Sequence, residues 1–150
     1  MSAATESQRE AVLAQARRWI GTPYHHQADV VGAGVDCGML LVRVFVDAGC
    51  VPAFDPRAGA GYSNEWFLHR DEERYLSFVQ AYAEPVASPL PGDIVVFVHG
   101  RTFSHGGIVV AWPLIIHASA PAECVLLENV EQSPFAGKAR RYYSVWGARA

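Results

Sequence analysis

The chain has 150 residues, of which 51% are hydrophobic and 18% charged, and its formal net charge is −3. That is the size of one ordinary domain with enough apolar residues for a real core, and residues 1–150 read as a single domain. No basic stripe appears, which argues against nucleic acid as a partner, and no apolar run reaches the roughly 18 residues of a membrane span.

The opening, MSAATESQREAVLAQARRWIG, lacks a basic stretch followed by an apolar one. It therefore predicts a protein made in the cytoplasm without a secretory signal. Thr5-x-x-Gln8 matches a capping box, and Val12, Ala16, Trp19 and Ile20 recur at helical spacing with Arg9, Arg17 and Arg18 mostly off that stripe. Gly21 and Pro23 stop this first helix. Residues 24–35, polar and glycine-bearing, read as a loop. Cys37 to Ala48 reads as a second helix. It is apolar nearly all round, with Arg43 and Asp47 four apart on one face, so it should be buried. Residues 51–62 carry two prolines and two glycines and read as loop. Ser63 or Asn64 caps a third helix to about Ala83, with Leu68, Leu76, Val79 and Tyr82 as its stripe and HRDEER, residues 69–74, in water.

From SPLPGD onward the pattern turns to strands: Ile94–Val98, Ile108–Trp112, Leu114–Ala118, Cys124–Val130 and Tyr142–Trp146, with His99-Gly100 as a turn. They are short and close together, which predicts an antiparallel meander rather than crossovers. Helices first and strands after make an α+β domain.

The stretch GVDCGML, residues 34–40, sets a cysteine at the start of the buried helix. A helix N-terminus carries partial positive charge and unpaired N–H groups, so a thiol there is expected to ionise more easily. The N–H groups also suit a developing oxyanion, Gly38 leaves room for a substrate, and Asp36 can cap the helix. The same place also suits an inert buried cysteine, and position alone does not separate the two. Cys50 and Cys124 lie in apolar strings and read as small hydrophobes. Three cysteines without a C-x-x-C pair argue against a disulfide framework or a cysteine zinc site.

A cysteine nucleophile needs a base. Of six histidines, His105 opens a strand in FSHGGIVV and His117 closes the next in LIIHAS. Side chains alternate along strands. With an odd loop, for instance Ala111 opposite Ile115, His105 and His117 share a face, whereas a two-residue loop would separate them. The alternative for His117 is a hydrogen-bonded core histidine. His25 and His26, followed by Asp29, raise the possibility of a metal, but no acidic or cysteine cluster completes four ligands; lining a substrate cleft is the preferred reading.

In order along the chain, WIGTPYHHQ, the Asp-Cys helix start, PGDIVVF, SHGGIVV and IIHAS resemble the NlpC-type cell-wall cysteine peptidases. The likeness spans roughly residues 10 to 120. It implies a papain-like fold: N-terminal helices on a small antiparallel sheet or half-barrel, with the nucleophile at the N-terminus of the buried helix. It implies Cys37 as nucleophile, His105 as base, His117 as the residue that orients His105, and Tyr24 as a site tyrosine that helps the oxyanion hole. Asp36 and Ser104 match positions near the substrate's polar groups. The family often has Ser-Gly after the cysteine; here Gly38-Met39 follows.

The substrate implied is a peptidoglycan stem peptide, with no metal and no cofactor. YHHQ and the tyrosine-bearing insert resemble the branch carried by tailed phages and phage-like particles, which implies tail-tip or baseplate proteins as partners. A catalytically silent tail component and a papain-like enzyme acting on another amide or a lipid acyl group are the competing readings.

Overall fold

The computed structural model describes residues 2–26, 28–52, 79–99 and 102–147, without the side chains of 98–99 and 102–104. Helix α1 runs Ala3–Arg18. Its N-cap is Ser2, whose hydroxyl accepts from Thr5 N–H at 3.1 Å, so the cap lies three residues earlier than the Thr5-x-x-Gln8 box predicted. Val12, Ala16 and Trp19 are buried as the stripe requires, but Ile20 is exposed. Arg9, expected off the stripe, is buried. Its guanidinium pairs with Asp93 at 2.9 Å, bonds the Pro91 carbonyl and lies over the Trp146 ring. A charge reaches the core there because its partner, on the residue just before the strand Ile94–His99, arrives from 84 residues away.

The segment expected to be loop holds a short hairpin, β1 (Asp29–Val30) with β2 (Gly34–Val35). Gly34 is required in it: a Cβ there would stand 2.9 Å from the Cβ of His25. Helix α2 follows at Cys37–Asp47, capped by Asp36 at its start and ended by Ala48 and Gly49 (φ +78°). The Arg43–Asp47 pair closes at 2.9 Å, and Met39, Leu40, Leu41, Val42, Val44 and Phe45 are buried. The third predicted helix lies mostly outside the described residues, as do HRDEER and most of the 51–62 loop. Its last turn, 79–82, is helical, with Val79 buried but Tyr82 exposed.

Six strands follow: β3 (Glu84–Val86), β4 (Ile94–His99), β5 (Thr102–Ala111), β6 (Leu114–Ser119), β7 (Cys124–Asn129) and β8 (Arg140–Ser144). Their order in the sheet is β3-β8-β4-β5-β6-β7. Strands β4 to β7 form the expected meander, but β8 returns to pair with β4. Strand β3 was hidden by its sequence, EPV. A proline is tolerated on an edge strand, and β3 is one. His99 belongs to β4, paired with Thr102, rather than to a turn; Gly100 lies outside the described residues. Strand β5 begins six residues before the predicted one, because Gly106 and Gly107 are poor strand formers and Ser104 is an unpaired bulge residue opposite the Phe97–Val98 step. Residues after Asn129 turn into a short 3-10 segment, Val130–Gln132. Strand β8 starts at Arg140, not Tyr142, and ends before Trp146.

The helices cover one face of the sheet. Ile94, Val96, Ile108, Ile116, Ala118 and Tyr143 meet α1 and α2 there in the main core. The alternate residues Val95, Phe97, Val109 and Ile115 form a smaller core on the other face with Val130 and Phe135.

Candidate active site

The β5–β6 connection is a two-residue turn, Trp112–Pro113, the case expected to put His105 and His117 on opposite faces. It does not, because β5 carries one extra residue. Ala111 stands opposite Leu114, yet Val109 stands opposite Ile115 and Ile108 opposite Ile116, so Val110 is a bulge. Beyond it the parity returns to the one that joins the two histidines. Gly107 then falls opposite His117: a Cβ on it would lie 3.0 Å from the His117 Cβ and 3.0 Å from Ile115 Cδ1. His105 Nε2 and His117 Nδ1 are 2.8 Å apart.

The second nitrogen of His117, Nε2, lies 2.8 Å from Glu128 Oε1. Glu128 is opposite Ile115 on β7, so it shares the histidines' face. Phe135 lies flat on the His105 ring, with centroids 4.5 Å apart at 9°, and meets His117 edge-on. Phe97, paired with His105 on β4, flanks the same ring. His117 is fully buried, and burial lowers its pKa, with Glu128 opposing.

Cys37 is the first residue of α2 and partly exposed. Its sulfur lies within hydrogen-bonding reach of three N–H groups: Gly38, its own, and Gly106. The last is supplied by the sheet. Val109 exchanges its N–H and C=O with Asp93 and Gly92, on the β4 side, so Ile108 and Gly106 direct theirs toward β6. The β5–β6 ladder stops at Ile108 and Ile116, and the next N–H in that direction, that of Gly106, meets the cysteine. Gly106 follows His105 in the chain.

The thiol is not acidic, contrary to the expectation from helix position. Burial, and then the adjacent Asp36 carboxylate, push Cys37 up to about 12, against the three N–H groups that favour the thiolate. Asp36 is buried and spends Oδ1 on the Met39 N–H at 2.8 Å, so it both caps the helix and opposes a second negative charge beside it. A thiol in this setting loses its proton readily only to a neighbour that becomes positive as it does so, which leaves the pair neutral.

The Tyr24 hydroxyl is in hydrogen-bonding contact with Cys37. Burial, then Cys37 and Asp36, raise its pKa further above the phenol range, so it stays a donor. Tyr24 is set there by its own backbone, which donates to Glu123 O and bridges Val35. His26 Nδ1 lies 3.7 Å from Asp36 Oδ2. His25 is exposed, with Nδ1 3.2 Å from the His26 carbonyl. Ser104 precedes His105 as the bulged residue, and its side chain lies outside those described. Among the described residues no group of three or more His, Cys, Asp or Glu is arranged to hold a metal ion.

Sequence reasoning passed over Glu128, Phe135 and the Gly106 N–H. Glu128 left a signal, as the lone charge in the apolar strand CVLLEN. Phe135 sits in an irregular segment and left none.

No family model matches the chain, and no curated protein matches it in sequence. Solved structures do. The NlpC/p60 domain of the peptidoglycan hydrolase SagA superposes with a TM-score of 0.61 at 21% identity, over 89% of this chain and 96% of that one. The fold is the NlpC/p60 fold. NlpC1 from Trichomonas vaginalis shares it with a TM-score of 0.63 at 17% identity, over 96% of this chain but 46% of that protein, of which this chain therefore spans under half. The peptidoglycan hydrolase RipB from Mycobacterium tuberculosis matches with a TM-score of 0.58 at 19% identity, over 97% of this chain and 68% of that one. The α+β arrangement of helices on an antiparallel sheet is thus the NlpC/p60 one.

Proposed function

We propose that the protein is a cysteine peptidase that cuts an amide bond in the stem peptide of peptidoglycan, with Cys37 as nucleophile, His105 as base and His117 as its orienting partner. The observation that carries this reading is the reach of the Cys37 sulfur to the Gly106 N–H, beside a histidine whose far nitrogen is already bonded to a second, buried histidine. The fold shared with two proteins described as peptidoglycan hydrolases supports the substrate class.

His105 Nε2 is engaged by His117, so Nδ1 is the atom that takes the thiol proton. The sulfur then attacks the amide carbonyl carbon, and a C–S bond forms as the carbonyl π pair moves to oxygen. The Cys37 N–H and the Tyr24 hydroxyl stabilise that oxyanion. The C–N bond breaks as His105 returns its proton to the leaving amine, giving a thioester. Water attacks the thioester while His105 takes its proton; the C–S bond breaks and the thiol is restored. His26 and Asp36, beside the nucleophile, with His25 and Ser104, line the path of the peptide. No cofactor takes part in this scheme.

In this reading the protein is carried in a phage or phage-like tail, docked to tail-tip or baseplate proteins, and breaches the wall from there. The support is the likeness of the YHHQ segment and the tyrosine-bearing insert to that branch. Digestion of purified peptidoglycan, with fragments identified by mass, tests the activity: the intact protein releases stem-peptide fragments and Cys37→Ala releases none. Release by both, or by neither, overturns the assignment. Recovery of the protein from purified particles tests the location, and its absence from them would overturn that part alone.

A further inference from the structure

We propose that Glu128 is a positioning residue for the His105 base: it sets the tautomer of His117 and, through it, the tautomer that leaves the lone pair of His105 on Nδ1. The inference rests on the reading that His105 takes the Cys37 proton, and adds a fourth member to that site.

Two contacts of 2.8 Å stand in series, Glu128 Oε1 to His117 Nε2 and His117 Nδ1 to His105 Nε2. A carboxylate only accepts, so the proton in the first contact belongs to His117 Nε2. His117 is fully buried in the sheet and is held neutral, so its Nδ1 is a bare acceptor. The proton in the second contact must then belong to His105 Nε2. A neutral imidazole carries one N–H, which leaves His105 Nδ1 unprotonated. The reverse arrangement, with His117 protonated on Nδ1, would set a nitrogen lone pair against a carboxylate oxygen at 2.8 Å beside a buried ring. That costs an unmade buried hydrogen bond as well as the repulsion.

Phe135 and Phe97 hold the plane of His105, but stacking is indifferent to which nitrogen bears the proton. The acceptor-only group at the far end breaks the symmetry. Glu128 can do so because its side chain is 23% exposed at the sheet's edge strand, while the imidazole it orients is completely enclosed. When His105 gains a proton, every hydrogen bond in the series keeps its direction, so the site needs no rearrangement in the step that matters.

The test uses the whole protein, with long-range proton–nitrogen NMR of the histidine rings and the rate of Cys37 alkylation by iodoacetamide, followed by peptide mass. In the unaltered protein His117 is expected as the Nε2–H tautomer. Glu128→Ala is expected to populate the other tautomer and to slow Cys37 alkylation about 10- to 100-fold, as losses of orienting partners do. Glu128→Gln keeps the size of the side chain but can donate as well as accept, so it should also admit the other tautomer and slow alkylation, though by less than alanine, and it carries the comparison if the alanine variant does not fold. A His117 protonated on Nδ1 in the unaltered protein, or alkylation in both variants at the original rate, overturns the role of Glu128. His105→Ala separates this from failure of the parent reading: if that variant also alkylates at the original rate, His105 is not the base.

Discussion

His105 Nε2 lies 2.8 Å from His117 Nδ1 across two strands whose ladder runs no further than Ile108 and Ile116. The two imidazoles meet just past the point where backbone pairing stops, and there the N–H of Gly106 is offered to the Cys37 sulfur. One break in a sheet thus receives a helix N-terminus from one side and a histidine pair from the other.

The roles proposed for Cys37 and His105 differ in what removing them does. Cys37→Ala should abolish peptidoglycan cleavage. His105→Ala should lower it roughly 100- to 10,000-fold, the usual contribution of a positioned acid–base group. It should also slow iodoacetamide labelling of Cys37 relative to Cys50 and Cys124. Equal, slow labelling of all three cysteines in the unaltered protein would mark an inert thiol and favour a silent assembly component.

Tyr24→Phe removes one donor beside the sulfur while keeping the ring. Its expected effect is a fall in kcat of about 100-fold with KM little changed, the signature of a group that acts on the developing oxyanion. A fall confined to KM would make Tyr24 a binding residue instead.

Gly107→Ala tests the packing behind the pair. The new methyl would sit 3.0 Å from two side-chain carbons and 3.1 Å from the Ile116 carbonyl, so His117 must shift. A loss of about 1–3 kcal/mol in urea unfolding is expected from overpacking, with a larger loss of activity than that stability change explains. Unchanged activity would show that the site tolerates movement of His117.

The Arg9–Asp93 pair should behave as a buried ion pair does. Asp93→Ala strands a guanidinium that is 4% exposed and should cost about 3–5 kcal/mol. A double change to well-packed apolar residues should cost much less. Equilibrium denaturation of the three variants checks this, and a mild effect of Asp93→Ala alone would contradict it.

Alkaline stability follows from the raised thiol. The unfolded chain releases the Cys37 proton near the ordinary value of 9.0, the folded one near 12. Between those values the folded state binds more protons, so the contribution is complete below pH 9 and is lost as pH rises toward 12. His117 acts with the opposite sign. Its folded pKa is lowered from 6.5, so the unfolded state takes the proton first and stability falls as pH drops below that value. Thermal melts across pH should show a smaller alkaline loss in Cys37→Ala and a smaller acid loss in His117→Asn. Parallel curves would refute both.

Much of this was legible in one dimension. The run from Cys37 to Asp47 reads as a buried helix because its charges are confined to an i, i+4 pair, and that is how it folds. Strands β4 to β7 announce themselves by their apolar, largely β-branched runs, whereas Pro85 disguises β3 and two glycines disguise the start of β5. Arg9 was misplaced because local patterning prices a charge as exposed unless its partner is nearby in the chain, and Asp93 is not.

The amino-acid order by itself determined that a cysteine opens a buried helix, and that two histidines twelve apart stand on neighbouring strands. Those are properties of nearest neighbours and of the helical and strand periods. Whether the histidines face each other turned on one bulge at Val110. Whether the thiol is acidic turned on burial and Asp36 outweighing the helix terminus. Glu128 and Phe135 joined the site from segments with no sequence link to it. Register, desolvation and long-range company are set by which surfaces pack together, and only the tertiary structure decides that.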